Sequence, residues 1–154
     1  MGEPDLEELR AWSEQVATFF ASMAGWPPIT GRVLGWLMVC DPAEQSAADI
    51  VEATGASRAS LTSTMRMLVA SGMVRRLTRA GGRTTYFRID DNAWSQVLRQ
   101  RFQLVAAFAK ITGDGVQLLG EGSPRSARVR AAHDIFRWFD QEIEPLWRRY
   151  EAGR

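Results

Sequence analysis

The hydrophobic pattern of this chain switches from a period near 3.6 to a period near 2 immediately after Gly72. Before that glycine, apolar residues recur every three or four positions, as on one face of an α-helix. Met73–Arg79 and Thr84–Ile89 then read as two β-strands on either side of a turn at Ala80–Arg83, which contains two glycines. From Ala93 the helical spacing returns. The pattern therefore predicts a mainly α protein with one small β-hairpin.

Six helices are predicted around this hairpin from apolar spacing and from start and stop signals. The second is apolar on most of its faces, so it should lie at the centre of the fold. The expected spans are near Pro4–Gly25, then about Ile29–Val39, Ser46–Ala53, Arg58–Ser71, Ala93–Leu119 and Arg125–Tyr150.

The third and fourth helices are short and follow one another closely. Ser46 opens the third with a capping box, and Ser57 can cap the fourth after a turn at Gly55. Two short helices joined by a glycine-containing turn have the form of a helix-turn-helix, and the hairpin supplies a wing. We therefore predict a winged helix-turn-helix DNA-binding domain at residues 29–91. Helices for dimerisation should flank it at residues 1–28 and 92–154.

Charge is distributed unevenly along a chain whose net charge is only +1. No acidic residue lies between Glu52 and Asp90, and this stretch carries seven arginines, a net charge of +7. Such a basic block favours binding to a polyanion, because neutralised phosphates release condensed counterions. The arginines are Arg58, Arg66, Arg75, Arg76, Arg79, Arg83 and Arg88.

A helical wheel divides the fourth helix into an apolar and a polar face. Leu61, Thr64, Met65 and Leu68 share the face that should pack on the domain. The opposite face is short, polar and cationic without an acid, so it can enter a major groove about 12 Å wide. Arginine there can bind guanine, and hydroxyls can reach other base edges or phosphates. The predicted DNA contacts of this helix are Ser57, Arg58, Ala59, Ser60, Thr62, Ser63 and Arg66.

The wing extends this candidate surface. Arg79 and Arg83 bracket the glycine turn, so their side chains should project from the hairpin tip, and Thr84 is assigned to the same surface. An arginine there can enter a narrow minor groove or contact phosphate. Some of the strand arginines, Arg75, Arg76 and Arg88, are expected to face solvent or to pair with acids elsewhere.

Several segments resemble a known family of regulators. Ser57–Leu68 and Gly72–Arg76 resemble the recognition-helix and first-strand signature of the MarR (multiple antibiotic resistance regulator) family, and helix order and length are similar over essentially the whole chain. Gly31–Leu37, Cys40–Pro42 and Thr85–Arg88 are further similar to the actinobacterial MmpR-type branch, which represses genes for lipid and drug exporters. The resemblance implies a transcriptional regulator that binds double-stranded DNA, and a ligand-responsive repressor of a transporter or efflux operon.

The wing departs from the family pattern in one respect. Family wings usually carry an Asp shortly before the arginine, which braces it. Here the turn reads Gly81-Gly82-Arg83-Thr84. We therefore expect Arg83 to be less preorganised than its family counterpart.

The last predicted helix carries an unbroken heptad pattern of apolar residues. Ile135, Trp138 and Trp147 widen the stripe beyond what one neighbouring helix would cover. We predict a homodimer in which the first, fifth and sixth helices of both copies interleave, as the resemblance also implies, so that two recognition helices meet a near-palindromic operator. The predicted dimer residues are Val129, Ala132, Phe136, Phe139, Ile143, Leu146 and Tyr150.

The resemblance also implies a ligand that shifts the separation of the two DNA-binding domains. A small hydrophobic effector would suit a pocket where the dimer helices meet the winged domain. Core packing is the alternative role for the residues assigned to that pocket, which are Phe19, Phe20, Met23, Trp36, Phe102 and Phe108.

Two other functions remain open as alternatives. Cys40 could act as a redox switch, although it has no basic neighbour in sequence to activate its thiol. The winged helix could instead be a protein-interaction module without DNA readout, and the acid-free basic stretch argues against that.

Catalysis and metal binding have little support among the side chains. Cys40 and His133 are the only residues of their types, so a Cys/His zinc site or a histidine-based catalytic triad lacks candidates. We expect no enzymatic activity, no metal and no cofactor. The acidic start and the short apolar runs predict a soluble, cytoplasmic protein without membrane insertion.

Overall fold

The computed structural model describes residues 2–154 and confirms a mainly helical protein with a small antiparallel sheet. The residues form two compact units, one ending at Trp94 and the other comprising Ser95–Arg154. No helix among the described residues is both long and apolar enough to cross a membrane. The elements are α1 (Leu6–Ala24), α2 (Pro28–Val39), β1 (Gln45–Ser46), α3 (Ala47–Thr54), α4 (Arg58–Ala70), β2 (Val74–Thr78), β3 (Thr85–Ile89), α5 (Ala93–Leu119) and α6 (Pro124–Ala152).

The core of the first unit is built on α2, as its apolar sequence predicts. Val33 and Leu34 are completely inaccessible to solvent. Two glycines on α2 let α1 approach very closely: a Cβ on Gly31 would lie 2.6 Å from the Cα of Ala17, and one on Gly35 would lie 2.8 Å from the Cα of Ser13. These two contacts fix the register between α1 and α2.

Polar contacts attach α1 to its neighbours as well. The Arg10 guanidinium donates from Nε to the carbonyl oxygen of Ala53 at 2.9 Å and from Nη2 to that of Glu52 at 3.3 Å. These carbonyls belong to the last turn of α3, where a cation is favourable. Arg32 on α2 pairs with Glu14 on α1, and this hydrogen bond raises the pKa of Arg32.

The helix-turn-helix ends where its capping residues predict. The Ser46 hydroxyl accepts from the backbone amide of Asp49 at 3.2 Å, and the Asp49 carboxylate accepts from the amide of Ser46 at 2.8 Å. The Ser46 hydroxyl also donates to the Asp49 carboxylate at 2.7 Å, and this hydrogen bond, together with that from the Ser46 amide, lowers the pKa of Asp49. α3 ends at Gly55, whose φ of +71° is accessible to glycine at little cost. Ser57 then caps α4 by accepting from the amide of Ser60 at 3.1 Å.

The sheet has one strand more than the predicted hairpin. β1 pairs with β3, so the strand order is β1-β3-β2, with Gln45 opposite Phe87 and Ser46 opposite Tyr86. Gln45 is buried, and its side-chain oxygen accepts from the indole of Trp36 at 3.1 Å. A strand of two residues is too short to show alternation, which is why the sequence pattern missed it.

In the second unit, α5 and α6 pack as an antiparallel pair. Nδ1 of His133 on α6 lies 3.0 Å from the carbonyl oxygen of Ala109 on α5. Phe108 and Phe136 pack edge to face, with ring centres 4.7 Å apart. Many large apolar side chains are nevertheless exposed, because two helices provide only one face for each other. They include Leu104, Ile111 and Leu118 on α5 and Ile135, Trp138, Phe139, Leu146 and Tyr150 on α6.

Candidate nucleic-acid interface

The structure confirms the two faces predicted for α4. Leu61, Thr64, Met65 and Leu68 are all buried in the first unit. Ser60 is half-buried, and the other predicted contact residues of this helix are exposed, namely Ser57, Arg58, Ala59, Thr62, Ser63 and Arg66. Those exposed side chains therefore lie at one accessible surface.

Hydroxyl groups on this surface already donate within the helix. Thr62 Oγ1 donates to the carbonyl oxygen of Arg58 at 2.9 Å, and Ser63 Oγ donates to that of Ala59 at 3.3 Å. Ser60 Oγ is 3.0 Å from the carbonyl oxygen of Ser57. With their protons so used, these oxygens can act toward another molecule only as hydrogen-bond acceptors.

Four arginines of the basic stretch are exposed and form no ion pair with any described residue: Arg58, Arg66, Arg76 and Arg83. Arg58 and Arg66 are eight residues apart on α4, so their Cα atoms are separated by about 12 Å along the helix axis. Their guanidinium donors are free for a phosphate or a base edge.

Two of the three strand arginines are held by acids that follow the basic stretch, whereas Arg76 lies over the ring of Phe87 at 5.8 Å. Arg75 pairs with Asp90 at 2.8 Å, and Arg88 pairs with Asp91. The Asn92 amide and the Arg75 guanidinium both donate to Asp90 and lower the pKa of its carboxyl group. The available positive surface is thus smaller than the sequence count suggests.

The wing differs from the prediction at Arg79. Instead of projecting from the tip, its guanidinium lies over the ring of Tyr86 and pairs with Glu44 at 3.2 Å. Arg83 and Thr84 remain exposed in the turn. The prediction that both arginines project from the tip is therefore wrong for Arg79, because an acid and an aromatic ring lie within its reach.

Comparison with known proteins identifies the family. A sequence profile of MmpR5-like MarR family transcriptional regulators matches residues 92–153. The HTH-type transcriptional regulator MmpR5 of Mycobacterium tuberculosis (strain ATCC 25618 / H37Rv) is 35% identical over 149 residues, which are 96% of this chain and 88% of that protein. This chain belongs to the MmpR5-like MarR family. A crystal structure of a transcriptional regulator is also similar, with a TM-score of 0.72 and 33% identity over 97% of this chain and 99% of that one.

Membership of the MarR family confirms the resemblance and makes the chain a transcriptional regulator rather than an enzyme. The fold agrees, since the same winged-helix architecture extends over nearly the whole length of the matched crystal structure.

The effector residues predicted for this MarR-family chain do not all lie together. Phe19, Phe20 and Met23 lie in the last two turns of α1, where Phe20 stacks on Trp26 with ring centres 4.5 Å apart. Trp36 lies near the other end of α1, because the register places Ser13 beside Gly35. Ten residues of helix separate Ser13 from Met23, about 15 Å. Within the first unit Trp36 therefore lies apart from Met23, and a pocket shared by all six residues remains a prediction.

The other two predicted effector residues of this MarR-family chain have aromatic partners in the second unit. Phe102 meets Trp147 with ring centres 6.4 Å apart, and Phe108 meets Phe136. Both contacts are ordinary packing between α5 and α6.

The redox alternative for this MarR-family regulator finds no support at Cys40. The thiol is half-buried after α2, with its sulfur 3.8 Å from the carbonyl oxygens of Leu37 and Ala43. Burial raises the pKa of Cys40 to about 11, and the charge of Asp41 adds to the effect. Because the thiolate is the reactive species, this thiol is poorly suited to sensing.

Of the seven heptad residues of α6 in this MarR-family chain, four are half-buried and three are exposed. Val129 and Phe136 pack on α5 of the same chain, where a Cβ on Gly115 would lie 3.1 Å from Val129 Cγ1. Ala132 and Ile143 are half-buried. Phe139, Leu146 and Tyr150 are exposed by 44%, 54% and 50%. The three exposed side chains are therefore the heptad residues that are available for contact with another molecule.

A second exposed stripe lies on α5, the other long helix predicted for the dimer, and Leu104, Ile111 and Leu118 of this stripe were not among the predicted residues. Leu104, Phe108, Ile111 and Leu118 are exposed by 42–85% and are spaced by four, three and seven residues. This is the same heptad spacing that identified α6, so the signal was present in the sequence.

Proposed function

We propose that this MarR-family regulator binds double-stranded DNA sequence-specifically through α4 and the wing. The observation that supports the proposal is the exposed, acid-free face of α4. Arg58 and Arg66 can each donate to guanine, and the hydroxyl oxygens between them can accept from the amino groups of adenine or cytosine. Such a mixture of donors and acceptors suits base readout as well as phosphate binding.

The binding unit that we propose is a homodimer. A pair of helices with large apolar side chains exposed on both members cannot bury them alone, and an apolar patch of this kind marks an interaction site. A second copy supplies the matching stripes, since a twofold interface is self-complementary. Two recognition helices would then meet successive major grooves about 34 Å apart, which requires a near-palindromic operator.

The test starts from a duplex obtained by binding-site selection from random DNA, in which we expect an inverted repeat. Arg58→Ala and Arg66→Ala should each weaken binding to that duplex by about 5- to 150-fold, because a bidentate arginine–guanine contact is worth about 1–3 kcal/mol. Fluorescence anisotropy titrations at several salt concentrations measure the effect.

Arg137→Ala is the matched control, because Arg137 is exposed on α6 and forms no ion pair among the described residues. It removes the same charge from α6, a helix that is not part of the proposed surface. Equal effects of all three substitutions, or binding that does not weaken with salt, would favour a protein-interaction module instead.

We further propose that the regulator represses a transporter or efflux operon in the cytoplasm and releases it when a small hydrophobic effector binds. Its relationship to MmpR5 supports this assignment. Phe19 and Met23, exposed by 55% and 70% at the end of α1, offer apolar surface for such a molecule. A ligand can act here only if it binds the free and DNA-bound states unequally.

Long-chain fatty acids provide a direct probe of this effector proposal. At 100 times its dissociation constant, a ligand that binds only the folded chain adds about 2.7 kcal/mol of stability. We expect a melting temperature several degrees higher together with weaker operator binding. If neither quantity changes with any chain length tried, this class of effector is excluded.

A further inference from the structure

Three side chains connect the strands of the wing across its outer face. Arg79 directly follows β2, Tyr86 lies on the central strand β3, and Glu44 directly precedes β1. The Arg79 guanidinium carbon is 4.3 Å from the centre of the Tyr86 ring, and its Nη2 donates to Glu44 Oε2 at 3.2 Å. One arginine thus connects both edge strands over the central strand.

This contact acts on the wing turn directly. The backbone carbonyl of Arg79 accepts from the amide of Gly82 at 3.0 Å, so Arg79 is also the residue that closes the turn. The turn, residues 80–84, contains no carboxylate of its own. A two-stranded hairpin without further support is at best marginally ordered in water. Holding Arg79 in place therefore limits the directions that the tip can take.

Arg83 lies four residues further on, at the exposed end of this braced turn. It forms no ion pair with any other residue in the described part of the chain. The two wing arginines therefore differ in availability: the donors of Arg79 face Glu44, and those of Arg83 face solvent.

We infer that Glu44 is a positioning residue for DNA recognition: through Arg79 and Tyr86 it sets the direction in which Arg83 meets the duplex. Arg79 is then a brace rather than a DNA contact, which departs from the role that the sequence predicts for it. The inference rests on the proposed function. It assigns Arg83 as the wing residue that contacts DNA. It also gives a counterintuitive expectation, that removing an acid weakens binding to a polyanion.

The experiment compares Glu44→Gln, Arg79→Gln and Arg83→Ala, with the double variants, in the full chain on the selected operator duplex. Glu44→Gln and Arg79→Gln should each weaken binding by up to about fivefold, the range of an exposed ion pair, and the pair of changes should cost no more than either alone. The salt dependence of log K should stay unchanged in both, whereas Arg83→Ala should lower its slope by about 0.9 for one lost phosphate contact. Arg83→Ala should also cost less in the Glu44→Gln background than in the unmodified chain.

Asp41→Asn is the matched control, since it removes the same charge three residues earlier from an exposed carboxylate without an ion pair among the described residues. Removing the charge of Asp41 should slightly strengthen DNA binding by reducing repulsion of phosphate. If Glu44→Gln also strengthens binding, and Arg79→Gln lowers the slope of log K against log salt concentration, then Arg79 is itself a phosphate contact and the brace is excluded. Additive effects of Glu44→Gln and Arg83→Ala also exclude it. If the unmodified chain selects no duplex, the proposed function itself fails. If it selects one and the variants behave in either of the two ways just described, only the brace fails, so the two failures are distinguishable.

Discussion

Glutamate at both Phe139 and Leu146 should leave the regulator monomeric and lower its affinity for a symmetric operator by about 100-fold or more. Both side chains are exposed by 44% and 54% on α6, seven residues apart on the same face. In the proposed dimer the new carboxylates would enter an apolar interface without partners, which costs several kcal/mol. A monomer also loses the second recognition helix, whose binding is intramolecular in a dimer. Sedimentation velocity and operator titration measure the two effects on one sample.

The control for this pair is Gln141→Glu. Gln141 is exposed on α6 and lies about 160° around the helix from Phe139, so this substitution adds one carboxylate to the same helix away from Phe139 and Leu146. It should remain dimeric and bind normally. A double variant that stays dimeric at micromolar concentration would show that the exposed stripe of α6 is not the interface.

Alanine at Gly31 should destabilise the first unit by about 2 kcal/mol, although alanine favours a helix over glycine by about 1 kcal/mol. The added Cβ would lie 2.6 Å from the Cα of Ala17, so the backbone of α1 rather than a flexible side chain must move. The melting temperature should fall by about 4–8 °C at equal protein concentration. Urea denaturation followed by circular dichroism gives the free energy of unfolding directly.

Met38→Ala provides a comparison on the same helix. Met38 is 39% exposed on α2, so shortening it should change stability far less than the addition at Gly31. A Gly31→Ala protein as stable as the unmodified chain would mean that α1 and α2 can separate at little cost. The fixed register between these helices would then be excluded.

Local signals in the sequence were sufficient for the helix-turn-helix. Ser46, Gly55 and Ser57 act on residues within four positions of themselves, so the limits of α3 and α4 follow from short-range chemistry. The faces of α4 follow from its period, and the burial of Leu61 and Leu68 confirms them. The predicted contact surface on this helix therefore required no knowledge of the rest of the fold, and its role in DNA binding remains a prediction.

Contacts between distant positions were not predictable in this way. Glu44 and Arg79 are 35 residues apart, and their pairing depends on the strand β1, which is too short to leave a pattern. The heptads of α6 could not be divided either, because Phe136 and Phe139 have the same spacing in sequence. Only the position of α5 shows that Phe136 packs within the chain while Phe139 is left exposed.

Arg10 gives the first unit a mechanical property. Its hydrogen bonds to Ala53 and Glu52 grip the end of α3, while Gly31 and Gly35 seat the same α1 on α2. These contacts connect α1 to both α2 and α3. A displacement of α1 by a bound partner or ligand would therefore be transmitted directly to α3, the first helix of the helix-turn-helix.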